Sequence, residues 1–281
     1  MSSPNLNPGG PMRPLSIGNV VSASFRLYSS HLKQYFGIAC KAYLWVLVPV
    51  YGWAKYSALS ASISRLAFGE LVNQPESTST AEQRTNARKW SFLLAGLFVG
   101  LLALGIVLAC SIVLGVAVGI LAFVIGAALG NSVLAAVVGG IFVVIAVLAF
   151  TVGLLWISAR FLVVEVPLAL EDNMTASKAI SRSWDLSQGL IWQLVGVVSV
   201  AFLITIPIQL LFQVVISVLQ AALGQDSVAD SALSVIFSVL ILSLSLLSGM
   251  IIMPFWQALK AVVYYDLRSR REGLGLKLRD R

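Results

Sequence analysis

Apolar positions change rhythm several times along this chain, and each change predicts an element. Over residues 15–33 they recur at the helical period. Ile17, Val20, Val21, Phe25, Tyr28 and Leu32 share one face, while Asn19, Arg26, Ser29 and Lys33 fall elsewhere. This predicts an amphipathic helix at a membrane surface, with Pro14 and Ser16 as start signals. The period then gives way to continuous apolar stretches. Residues 90–159 hold no Asp, Glu, Lys, Arg or His across 70 positions, and two more uncharged runs cover 186–225 and 231–259. A soluble helix needs a polar face toward water, whereas about 20 apolar helical residues cross the hydrocarbon of a bilayer. The pattern is that of an integral membrane protein.

Spans follow from the runs. Residues 34–50 predict a first span, with Lys41 snorkelling to the cytoplasmic side. Residues 52–71 are rich in Ala and Ser, as in tightly packed membrane helices. They are read as a second span, against the alternative of an external surface helix. The 70-residue run predicts two long helices, 90–129 and 132–160, turning at Gly130 and Asn131. At about 1.5 Å per residue the first measures roughly 60 Å, twice the hydrocarbon thickness, so it is expected to tilt, kink or fold back at a glycine. Gly96/Gly100, Gly115/Gly119 and Gly126/Gly130 are either close-contact pairs or chance pairings in a glycine-rich stretch. Residues 173–188 predict a cytoplasmic amphipathic helix with Ala176, Ile180 and Trp184 on its apolar stripe and Lys178, Arg182 and Asp185 on its polar one. Spans at 190–219, bent at Pro207, and at 231–259 complete the set.

Charge orients these elements. The chain carries +7, is 58% hydrophobic and only 11% charged, with mean hydropathy +0.91. Basic residues gather before the first span, at Arg84, Arg88 and Lys89, and after residue 259, while residues 224–230 hold only Asp226 and Asp230. Retention of Lys and Arg in the cytoplasm puts both termini there and makes the number of spans even. The expected fold is therefore all-α: six transmembrane helices, two amphipathic interfacial helices and one membrane domain over 15–270. A proline-rich disordered tail without a signal peptide precedes it at 1–14, and a basic tail follows at 271–281.

Candidate chemistry is sparse. Cys40 and Cys110 both lie in apolar stretches, and His31 is the single histidine, so no metal or cofactor site is expected. Glu165, Glu171, Asp172 and Asp185 are read as solvated interfacial charges, which leaves no catalytic group. Gln209, Gln213, Ser217 and Gln220 recur on one face of the fifth span, either as hydrogen-bonding glue between helices or as a polar pathway. Arg26, Lys33, Lys178, Arg182, Trp184, Arg268, Arg270 and Arg271 form the candidate cytoplasmic surface, for anionic lipid headgroups or for a docking partner. The charge is explained by topology, so nucleic acid is not an expected partner.

Over residues 165–192 the chain becomes recognisable. Ala179, Arg182, Ser183, Trp184, Leu186, Ser187, Gly189 and Trp192 fit a surface-helix signature that follows a span end, a proline and an acidic turn. This resembles the membrane domain attached to some bacterial glycerophosphoryl diester phosphodiesterases and its free-standing relatives. The segments Ser24-Phe25-Arg26-Leu27-Tyr28 and 63–70 are similar to the same family, and the overall texture is most similar to cyanobacterial members. The resemblance implies six spans with interfacial helices and no assigned activity. The expected function is that of a non-enzymatic scaffold, assembly factor or accessory subunit in a plasma or thylakoid membrane, with a membrane-protein partner or a second copy of itself. The alternative is a transporter or a lipid- or solute-binding membrane protein.

Overall fold

A computed structural model describes residues 16–130, 132–223 and 232–272, and these are helical almost throughout. The predicted tail at 1–14, residues 273–281 of the predicted basic tail at 271–281, Asn131 and the acidic break at 224–230 lie outside the described residues, while Arg271 and Glu272 belong to the last helix. Ten helices follow in order among those described: α1 (Ile17–Ser30), α2 (Leu32–Val46), α3 (Tyr51–Leu71), α4 (Thr78–Ala87), α5 (Lys89–Leu129), α6 (Val133–Arg160), α7 (Glu165–Leu170), α8 (Ala176–Ser187), α9 (Ile191–Leu223) and α10 (Ala232–Glu272). Their starts are chemical. The Ser16, Ser77 and Ser132 hydroxyls accept from the free N–H groups of Asn19, Thr80 and Ala135. Asn73 and Asn173 take positive φ where α3 and α7 give way to the next segment, and Gly189 does so between α8 and α9.

Four helical segments are long and apolar enough to cross a membrane, those that begin at Lys89, Val133, Ile191 and Val235. They form a stem whose side chains are largely exposed, including Val113 at 66%, Phe123 at 77% and Val133 at 82%. Of the tilt, kink or fold-back expected in the first of these, the fold-back does not occur. α5 is one continuous helix of 41 residues; it contains no proline, and glycine weakens a helix without removing a backbone donor. α9 likewise runs through Pro207.

The rest of the chain packs into a foot at one end of the stem. Tyr35 and Ile38 of α2, Ile63 and Leu66 of α3, Val197 and Val198 of α9, and Leu259, Val263 and Tyr264 of α10 form its core. α1 lays Val20, Val21 and Ser24 into this core. Ile17 reaches to within contact of Gly196, and the Tyr28 hydroxyl donates to the Ile251 carbonyl at 3.1 Å.

α2 and α3, the segments expected to be the first two spans, are not among the four. α2 has 15 residues, about 22 Å and too short for the hydrocarbon. Much of α3 is buried in protein, where Ser60, Ser62 and Ser64 let neighbours approach closely. The polar helix α4 lies against both. Gln34 donates to Thr78 at 2.8 Å, and Lys41, instead of snorkelling, pairs with Glu82 at 3.1 Å. α3 also lies across the base of α5. Tyr51 near its start accepts from Lys89 at 3.4 Å, Ala58 and Ala61 share a buried cluster with Phe92 and Ala95, and Arg65 joins Arg88 at the end of α7. There Arg65 donates to the Ala169 carbonyl at 2.5 Å and Arg88 to that of Glu171 at 2.6 Å. Two guanidinium groups thus satisfy the carbonyl end of a short helix.

Candidate functional site

Where stem meets foot, α2, α3, α7, α9 and α10 line an open cavity of about 590 Å³. The helices meet here because α10 presents Gly249 to the Tyr43 ring, which leaves no room for a β-carbon. One end of the cavity is polar. The Lys260 ammonium donates to Glu165 Oε2 at 2.7 Å, and the Gln257 side-chain nitrogen donates to the same oxygen at 3.1 Å. Gln257 is itself held. The Ser64 hydroxyl donates to Gln257 Oε1 at 2.5 Å, which turns the amide nitrogen toward Glu165. Ser60, Tyr43 and Tyr56 add hydroxyls, while Phe212, Ile216, Ile252, Met253 and Trp256 supply an apolar wall.

Glu165 keeps 33% and Lys260 18% of their side-chain surface exposed, and both line the cavity. A charge pair among apolar helices is costly to desolvate, so its retention marks a functional candidate. The sequence reading placed Glu165 among solvated interfacial charges, and the structure corrects this. The overlooked signal is that Glu165 and Lys260 are single charges with apolar residues on both sides. Val163-Val164 and Val166-Pro167-Leu168 flank one, and Ala258-Leu259 and Ala261-Val262-Val263 flank the other. Where such a flanked charge is drawn into the protein it is almost always paired.

The predicted polar face of α9 divides. All four side chains are exposed, but only Gln209 and Gln213 line the cavity; Ser217 and Gln220 lie beyond it. Among the described residues neither Gln209 nor Gln213 has a hydrogen-bond partner.

The candidate cytoplasmic surface also divides. Arg26, Lys33 and Lys178 are exposed. Arg182 bridges Glu171, at 3.4 Å, and Glu272, which Arg268 holds from the other side at 2.9 Å. The Tyr264 hydroxyl donates to Glu171. Arg270 pairs with Asp266 at 2.8 Å, and Arg271 donates to the Gln188 carbonyl at 2.5 Å. With Arg270 also donating to Gln193 at 3.1 Å, these four arginines tie α8, the start of α9 and the end of α10 together, and Arg271 stays exposed. Trp184 packs edge-on against Trp156, with Arg160 over its ring at 4.4 Å. Among the described residues no three His, Cys, Asp or Glu side chains meet as a metal site.

No curated protein and no solved structure matches the chain. A family model described as "Domain of unknown function (DUF7847)" matches residues 47–267, from α3 through most of α10 and without α1 and α2, and the chain belongs to that family.

Proposed function

We propose that this is an integral membrane protein of four spans, α5, α6, α9 and α10, with α1–α4, α7 and α8 as a helical foot on the cytoplasmic side, and that it works without catalysis as a scaffold, assembly factor or accessory subunit. Four spans replace the six expected from sequence. The change removes the α2–α3 pair, so the count stays even and both chain ends remain on the basic side. The resemblance to the phosphodiesterase-linked membrane domain agrees with this role, since that domain accompanies an enzyme rather than being one.

The observation that carries the reading is the α5–α6 hairpin. α5 has 41 residues, about 60 Å. Even tilted by about 40° it projects some 46 Å along the membrane normal, beyond the roughly 30 Å of hydrocarbon. The surplus apolar surface needs a cover other than lipid tails. Gly115, Gly119 and Gly126 fall within one narrow arc of α5, and a β-carbon at any of them would meet nothing within 4 Å. Their open backbone therefore serves no contact inside this chain and suits a helix of another. We take that helix to belong to a second copy.

The test is the mass of the protein in native-lipid particles, extracted without detergent exchange. Two or more chains per particle are expected, falling to one in a Gly115→Ile/Gly119→Ile variant. A single chain in the unaltered protein, with no partner of constant stoichiometry, overturns the scaffold reading. A second reading, solute or lipid binding, is favoured by the cavity.

A further inference from the structure

We infer that the cavity between α3, α7, α9 and α10 is a binding site for a zwitterionic polar group, one that carries a cation and an anion close together and has no net charge. The scaffold role does not require it. Its size suits a small polar group with the start of an apolar stem, since about 300–1,000 Å³ is usual for small-molecule sites.

Charge selects the class. The polar end carries one anion, Glu165, and one cation, Lys260, 2.7 Å apart. Among apolar helices Coulomb energies are large. A net anion would gain Lys260 but meet Glu165, and a net cation would face the reverse. A zwitterion exchanges the internal pair for two others, its cation on Glu165 and its anion on Lys260, so every charge keeps a partner and the site stays neutral. Without ligand the pair closes on itself. The Ser64–Gln257 hydrogen bond keeps the floor in place throughout, because it fixes the amide that steadies Glu165.

A second observation points the same way. Gln209 and Gln213 bring two amides to the cavity on an otherwise apolar face of α9, with no hydrogen-bond partner among the described residues. Both residues are exposed where they line the cavity, so their amides are available to a guest, and a polar group there gives each a partner among apolar side chains. The apolar wall of Phe212, Ile252 and Trp256 is where the guest's stem would lie. Two sources share this chemistry, a zwitterionic lipid headgroup and a free zwitterionic solute.

The test is native mass spectrometry of the full chain in a nonionic detergent, titrated with phosphatidylcholine, phosphatidylglycerol, diacylglycerol and tail-less phosphocholine. Phosphatidylcholine is expected to bind about tenfold tighter than phosphatidylglycerol or diacylglycerol. Phosphocholine binding as tightly as the lipid supports the site and assigns it to a free solute; weaker binding assigns it to lipid. Glu165→Gln leaves a net cation and should turn the preference toward phosphatidylglycerol, a reversal that a purely structural ion pair would not produce. Gln213→Leu leaves the ion pair intact and should weaken phosphatidylcholine binding without loss of fold, so it carries the test if the charge variants do not fold. Equal binding of phosphatidylcholine and phosphatidylglycerol, or unchanged affinity in Gln213→Leu, overturns the assignment. No binding of any probe overturns the site itself.

Discussion

The foot and the stem obey opposite rules. In the foot, α3 hides Ser60, Ser62 and Ser64, and charges are spent on one another: Arg65 on Glu76, Arg182 on Glu171 and Glu272, Lys260 on Glu165. In the stem, large apolar side chains such as Phe123 and Val133 stand outward with nothing over them. In water the stem would be a sticky patch far larger than a soluble protein carries. In hydrocarbon it is the natural surface, and the paired charges of the foot are what a helical platform at the membrane boundary requires. The two halves teach that burial alone does not rank residues by importance here; the solvent around each half has to be named first.

Breaking the foot should cost most. Arg65 is only 11% exposed and grips both carboxylate oxygens of Glu76, at 2.6 and 2.7 Å, while also capping α7. Arg65→Ala leaves Glu76 with only the more exposed Arg84, at 3.3 Å, and uncaps α7, and should cost on the order of 3 kcal/mol, read as a lowered melting temperature in detergent. A shift no larger than that of the exposed control Arg26→Ala would show the pairing to be incidental. The stem should fail differently. Val113→Arg, at a site 66% exposed, should cost about 3 kcal/mol of insertion, read as the fraction of chain integrated in membranes. The same charge at exposed Ser177 of α8 should be tolerated. Equal tolerance at both sites would put the stem in water and end the comparison.

Glycine sharpens the contrast at a lower energy. A β-carbon on Gly249 would sit 2.2 Å from the Tyr43 hydroxyl oxygen and 2.4 Å from its Cζ, whereas one on Gly105 meets nothing within 4 Å. Gly249→Ala must displace an aromatic ring wedged between α10 and α3, at a cost of about 1–3 kcal/mol. Gly105→Ala should leave stability unchanged or raise it by up to about 1 kcal/mol through helix propensity. Equal melting temperatures for the two variants would mean that Tyr43 yields freely.

The stem was legible because an uncharged run of 70 residues needs an apolar solvent, and the helix boundaries near Lys89 and Arg160 follow from where charge returns. Which apolar stretches form helices long and apolar enough to cross a membrane was only partly legible. α2 and α3 are apolar and small-residue-rich, as spans would be, while their contacts with polar α4 link residues tens of positions apart. The charge rule could not help either, since a hairpin that leaves and returns to one side keeps the parity. The cavity was half legible. Gln209 and Gln213 announced themselves as amides on an apolar face. Glu165 and Lys260, 95 residues apart, required the fold to bring α7 against α10.

The smallest effect tests whether the Arg65–Glu76 pair is tight rather than merely near. Hydrogen bonds from Arg65 hold the Glu76 carboxyl below its ordinary value of 4.5, against the opposing push of burial, and the charges of Arg65 and Arg84 add to the lowering. A carboxyl so shifted gives up its proton more readily in the folded chain than in the unfolded one. Its contribution is therefore complete above about pH 4.5 and drains away as acid protonates the folded form. Glu76→Gln cannot titrate, so subtracting its melting curve from that of the unaltered protein isolates this one group from the other carboxylates. The difference should be constant from about pH 7 to about pH 5.5 and shrink below about pH 4.5. A difference that persists unchanged down to about pH 3, or grows with acid, would mean that Glu76 is solvated and that α4 is held to α3 by its buried Ala81 and Thr85 alone.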